Sequence, residues 1–193
     1  MNQAGTAGNA GAKALPEQGP QDRLCRTSGA APHLRGSAVR EATSVGAAFQ
    51  WPVRVYWEDT DAGGIVFYAN YLKFFERSRT EWLRSLGLQQ QRLKDNTGCM
   101  FVVADASIRY CRPARLDDAL TVTASLIEIG RASMLIKHQA LLKTEQTDAA
   151  SATLLCEGTI RIGWVDGASL QPRRIPAAIL DRLTTRPTSQ DPT

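Results

Sequence analysis

Three carboxylates, Glu58, Asp59 and Asp61, crowd into four positions, and Gly63-Gly64 follows them in the stretch EDTDAGGIVFYANYLKFFERSR. Aromatic and charged residues at helical spacing come next. The glycine pair lets the backbone turn tightly and exposes N–H groups beside a helix N-terminus near Tyr68. The first donors of a helix lack intrahelical partners, so they form a ready oxyanion site. Asp61 lies on the same turn. A carboxylate and N–H donors around one small volume can carry acyl transfer: the carboxylate attacks a carbonyl or activates water, and the donors stabilise the developing oxyanion. Plainer roles compete with that one. An acid near a helix N-terminus stabilises the helix dipole by about 0.3–1 kcal/mol, and Asp is at home in a turn. Glu58 continues the polar face of a strand and is expected to be a solvated surface group.

Other chemistries fit worse. Asp59, Asp61 and Gly64 match positions one, three and six of a calcium loop, but position five is Gly63, position nine Phe67 and position twelve Asn70. A phosphate-cradling GxxxxGK[ST] is absent, as is a Gly-x-Ser-x-Gly elbow. Cys25, Cys99, Cys111 and Cys156 form no CxxC pair, and with only His33 and His138 no zinc spacing can be assembled. Neither a metal nor a redox cofactor is implied. His138 sits in the alternating stretch LIKHQALL and reads as a strand-face residue. Trp51, Trp57, Trp82 and Trp164 read as core or dimer contacts rather than a ligand cage. Arg109, Arg112 and Arg115, in IRYCRPAR, are either a solvated turn or a contact to an anionic ligand.

The turn needs elements to hold it. WPVRVYWED alternates, with Val53, Val55 and Trp57 on one face and Arg54, Tyr56 and Glu58 on the other, as in a half-buried strand. From Ala69 to Leu86, Tyr71, Leu72, Phe75, Trp82, Leu83 and Leu86 recur at helical spacing. Lys73, Glu76, Arg77, Arg79, Glu81 and Arg84 supply a polar face, and Gly87 is the expected stop. Four strand candidates follow: CMFVVADASIRYC, ALTVTASLIEIG, ASMLIKHQALLK and ATLLCEGTIRIGWV, with IPAAILDRL as a short terminal helix. Short connections between consecutive strands argue for antiparallel pairing. The expected class is α+β, one curved antiparallel sheet wrapped on one long central helix.

The chain has 193 residues and a formal net charge of +4, which suits one domain and gives little support to nucleic-acid binding. Residues 1–48 are rich in Gly, Ala, Gln, Ser and Pro, and too poor in large apolar side chains to offset their ordering entropy. They are expected to be a disordered extension, the domain spanning 49–184 and a polar tail 185–193. No apolar run reaches membrane-spanning length and no secretory signal is evident, which together point to the cytoplasm.

The segment RVYWEDTDAGGIVFYANYLKFFERSRTEWLR closely resembles the 4-hydroxybenzoyl-CoA thioesterase family of hotdog-fold enzymes, most of all its Tol-Pal system-associated (YbgC-type) acyl-CoA thioesterases. The likeness is dense over residues 51–87 and runs collinearly to about Leu183. It implies that Asp61 is the catalytic carboxylate and that the backbone N–H of Tyr68 polarises the thioester carbonyl. Substrate contacts are expected at Gly64 and Val66, and Arg109, Arg112 and Arg115 stay open between a solvated turn and a contact to the CoA phosphates. Many YbgC-type sequences carry His where this chain has Tyr68, and Tyr there looks like the 4-hydroxybenzoyl-CoA branch. The resemblance implies an acyl-CoA substrate, with acyl carrier protein as an alternative donor, a homodimer or homotetramer, and a link to the Tol-Pal cell-envelope system. A non-catalytic scaffold that binds an acyl chain or acyl carrier protein is the competing reading, and a dehydratase of similar fold would want a His near this turn.

Overall fold

A computed structural model describes residues 40–41, 48–143 and 152–184. Among these described residues six strands make one antiparallel sheet: β1 (Arg40–Glu41), β2 (Phe49–Arg54), β3 (Cys99–Tyr110), β4 (Ala119–Ile129), β5 (Ser133–Leu142) and β6 (Thr153–Asp166). The order is β1-β4-β5-β6-β3, and β2 also pairs with β4, so both short strands lie along one long one. Arg40 and Glu41 fall within the segment expected to be disordered and pair with Ile129 and Glu128. The rest of 1–47 and all of 185–193 lie outside the described residues.

Helix α1 (Asn70–Ser85) packs on this sheet. It stops as the sequence predicts: Gly87 takes a left-handed φ of 74°, Gly87 N–H donates to Arg84 O at 2.9 Å and Leu88 N–H to Leu83 O at 2.9 Å. This is the hydrogen-bond pattern of a Schellman stop. Two apolar clusters form between helix and sheet. One holds Tyr71, Phe74 and Phe75 against Val53, Val55, Leu120, Val122, Ala140 and Leu155. The other holds Trp82 and Leu83 against Met134, Ile136, Ile160, Ile162 and Trp164, and is closed by Ile179 and Leu183 of α3 (Ala177–Thr184).

The structure corrects three expectations. The strand expected over WPVRVYWED is β2 and ends at Arg54, and Trp57–Asp59 turns into a 3₁₀ helix that leaves Trp57 79% exposed instead of on the buried face. An additional helix, α2 (Gln90–Thr97), joins α1 to β3; it buries none of its own residues fully, so it carries no apolar stripe to read. Arg79, placed by its charge on the polar face of α1, is only 8% exposed, whereas Leu72 is 40% exposed.

Candidate active site

The acidic turn is a miniature hairpin. Thr60 and Val66 form an antiparallel bridge, Asp61 N–H donates to Ile65 O at 2.9 Å, and Gly64 N–H returns to Asp61 O at 2.9 Å. Gly64 has φ +70°, a left-handed conformation that a residue with a Cβ adopts only at a cost. Asp61 Oδ1 accepts the Gly63 N–H at 2.8 Å, which fixes the carboxylate over the turn while leaving the residue exposed.

The hairpin is fastened on both sides. Val66, 3% exposed, donates its N–H to Ala114 O at 2.9 Å, and Ala114 N–H donates to the Tyr71 hydroxyl at 3.0 Å. Burial pushes the Tyr71 phenol up to about 12, so it stays a neutral hydroxyl. Ile65 bridges to Arg115, bringing the β3–β4 connection alongside the hairpin. Below it, Asp59 is 2% exposed: its Oδ2 accepts the Tyr56 N–H at 3.0 Å, and its carbonyl accepts from Phe67 N at 2.9 Å and Asn70 Nδ2 at 3.0 Å. Glu58 is exposed, as expected.

The chain leaves the hairpin at Phe67 and enters α1. Asn70 N–H is taken by Phe67 O at 2.8 Å, but among the described residues nothing accepts the N–H of Tyr68 or Ala69. The helix therefore starts with open donors, and they follow directly on the segment that presents Asp61. The Tyr68 ring, 62% exposed, lies 4.5 Å from Phe67 and 6.3 Å from Tyr110, and the Tyr110 hydroxyl donates to Tyr68 O at 3.2 Å. Tyr110 also stands 5.8 Å from Tyr71, so a wall of aromatic rings flanks the open donors.

The three arginines separate. Arg115 is tied to the hairpin through its backbone, and its N–H donates to Asp118 Oδ2 at 2.7 Å. Arg112 is exposed in the same connection. Arg109 precedes the inward-turned Tyr110 and so faces the opposite side of the sheet, where Glu157 holds its guanidinium, with Nε at 2.9 Å. Arg109, Ser107, Lys137, Glu157 and Thr159 line a shallow polar depression of about 340 Å³ there.

His138 is a core residue. It is fully buried, stacked at 5.1 Å on Phe75, with Nδ1 donating to Thr123 O at 2.8 Å. No group of three or more His, Cys, Asp or Glu side chains among the described residues is arranged to hold a metal ion.

Residues 55–183 match the family model for the thioesterase-like superfamily. The chain is 40% identical over 131 residues to the acyl-CoA thioesterase YbgC of Haemophilus influenzae, spanning 68% of this chain and 90% of that one. It is likewise 40% identical over 132 residues to the acyl-CoA thioester hydrolase YbgC of Escherichia coli, spanning 68% and 92%. A probable thioesterase from Bartonella henselae superposes with a TM-score of 0.59 at 29% identity, over 67% of this chain and 100% of that one. The 4-hydroxybenzoyl-CoA thioesterase of a Pseudomonas species superposes at 0.64 with 21% identity, over 71% and 99%, and so shares the hotdog fold.

Proposed function

The chain belongs to the thioesterase-like superfamily, and from that premise we propose that it hydrolyses the thioester of an acyl-CoA to a free acid and CoA. One observation carries the reading. An exposed carboxylate, Asp61, is held on a rigid turn, and the segment leaving that turn opens a helix whose N–H donors at Tyr68 and Ala69 have no acceptor among the described residues.

In the proposed reaction the thioester carbonyl oxygen accepts the Tyr68 N–H, and the helix dipole adds to its polarisation. Asp61 then acts in one of two ways. As a general base it takes a proton from water while the water oxygen bonds to the carbonyl carbon. As a nucleophile it bonds to that carbon itself, and water later cleaves the resulting anhydride. Either way the C–S bond breaks, the CoA thiolate takes up a proton, and the acid leaves. Gly64 supplies the left-handed backbone that the turn needs, Gly63 keeps clear the space where a Cβ would stand 3.0 Å from Asp61 Oδ1, and Val66 anchors the floor of the turn. Arg112 and Arg115 offer cations beside the turn for the CoA phosphates. Arg109 is already engaged by Glu157, which makes it the weaker candidate of the three.

A homodimer completes the proposal. Among the described residues β3 pairs only with β6, leaving a 12-residue strand with one unpaired edge. Such an edge is commonly continued by another chain. A hydrolysis panel of short, long and aromatic acyl-CoAs, with one carrier-protein thioester included, tests the function. Turnover of at least one acyl-CoA supports it; binding without turnover across the panel would favour an acyl-binding scaffold instead.

A further inference from the structure

Arg79 is a buried charge without a bonded counter-charge among the described residues. It is 8% exposed, yet no acceptor or carboxylate among the described residues bonds to its guanidinium. Burial lowers its pKa from the ordinary arginine value, with Glu76 one turn earlier opposing that shift. Glu76 makes no ion pair with it; the Glu76 carboxylate accepts the Thr80 hydroxyl at 2.7 Å and is exposed. A charge taken out of water without a partner costs several kcal/mol, so proteins pair it. Among the described residues that partner is missing.

The position of Arg79 on α1 says where that partner comes from. Ser78 donates to Val122 O on β4 at 3.1 Å. Phe75 stacks on His138 of β5 and abuts Gly158 of β6, so it points further across the sheet, toward β3. Arg79 follows Phe75 by one turn and lies on that same flank. Leu72 and Glu76, at the same helical spacing, are exposed along it. The sheet below is equally uncovered. Val103 lies opposite the buried Ile162, hence on the helix side of β3, yet it is 56% exposed, and the inward-facing Tyr110 is 48% exposed. Among the described residues, an apolar strip, an unpaired strand edge and an unpaired cation therefore share one uncovered flank.

We propose that a second copy of this chain covers this flank, and that Arg79 of each protomer forms an ion pair with the partner's Glu76 across the two-fold axis. This rests on the dimer proposed above and names its specificity contact. A two-fold interface presents the same flank from both sides, so each Arg79 meets a surface whose carboxylate is Glu76, one turn from its own Arg79. The contact is self-complementary in charge and flanked by Leu72 on both sides.

Sedimentation of the full chain, with a dilution series to obtain the dimer dissociation constant, decides the matter without reference to catalysis. Glu76 is exposed, so Glu76→Arg leaves the protomer folded, which circular dichroism checks. It should weaken the dimer by about 100-fold or more, because two arginines then face two arginines. Adding Arg79→Glu to that chain reverses both charges and should restore most of the affinity. Arg79→Met on the same background removes the repulsion without burying a new charge and should recover part of it. A wild-type monomer would sink the dimer reading itself. A wild-type dimer that is indifferent to Glu76→Arg, or one weakened by it but rescued by neither second substitution, would overturn the ion pair alone.

Discussion

Asp59 and Asp61 are the same residue type two positions apart in one acidic turn, and the fold uses them in opposite ways. Asp59 is 2% exposed and spends its carboxylate on the Tyr56 N–H, with its carbonyl bonded to Phe67 and Asn70. It joins the end of β2 to the start of α1. Asp61 is exposed and accepts one local bond, from Gly63, so its carboxylate retains lone pairs for a ligand. The difference arises from the hairpin: the Thr60–Val66 bridge turns one residue toward the core and lifts the other to the rim. A carboxylate that has satisfied its bonds inside is structural; one held in place but still open is equipped for chemistry.

The largest effect that would sharpen this comparison comes from the donor on the other side of the proposed site. Tyr68→Pro removes the backbone N–H while keeping a residue tolerated where a helix begins. It is expected to lower kcat by about 100-fold or more, the cost of losing one oxyanion donor. Tyr68→Ala keeps the N–H and should retain most of kcat. Steady-state hydrolysis of one acyl-CoA by both variants checks this, and equal losses would mean that the ring, not the backbone, is what matters.

Asp59→Ala tests the structural half of the comparison. It leaves the part-buried Tyr56 N–H without its acceptor and opens a gap at a side chain that is 2% exposed, and should cost about 1–3 kcal/mol. Urea melts give the value. A stability loss within about 0.5 kcal/mol of zero, the range usual for surface substitutions, would break the contrast.

A smaller, pH-dependent effect belongs to His138, a buried polar group with no part in the proposed chemistry. Burial drives its pKa down from 6.5 to about 4, the Thr123 carbonyl bond opposes that, and the charge of Arg79 adds to the fall. The folded state therefore holds a neutral imidazole where the unfolded chain would take up a proton. Its contribution is fully present above pH 6.5 and is lost as pH falls toward 4, by about 3 kcal/mol or less. Thermal melts between pH 7 and 4.5 should show this slope, and His138→Leu should flatten it. An unchanged slope in His138→Leu would assign the acid sensitivity elsewhere.

Strands and the central helix were legible because their burial follows simple periods. The sequence-predicted limits of α1, Ala69 and Leu86, fall one residue outside Asn70–Ser85, and the Gly87 stop is a matter of local backbone chemistry. Gly63-Gly64 marked the turn for the same reason. What escaped depends on distant partners. Trp57 continues the strand alternation, yet the chain bends at Tyr56 to let Asp59 cap that residue's N–H, and the ring goes to solvent. Asp59 could not be told from Asp61 by type, since the Thr60–Val66 pairing separates them. Arg79 read as surface because its charge outweighed its place beside Phe75. Arg109 was grouped with Arg112 and Arg115 by proximity in sequence, whereas strand alternation sends it to the far face, toward Glu157.

The central claim, that Asp61 rather than Asp59 is the reacting carboxylate, is tested most directly by measuring kcat/KM for Asp61→Asn and Asp59→Asn side by side on the same acyl-CoA, each corrected for folded fraction. Asn preserves size and hydrogen bonding while removing the charge that a base or nucleophile requires. The account predicts a loss of about 100-fold or more for Asp61→Asn at unchanged stability, the scale of losing general-base catalysis, and a far milder one for Asp59→Asn. Equal losses in the two, or an Asp61→Asn enzyme close to wild type, would contradict it.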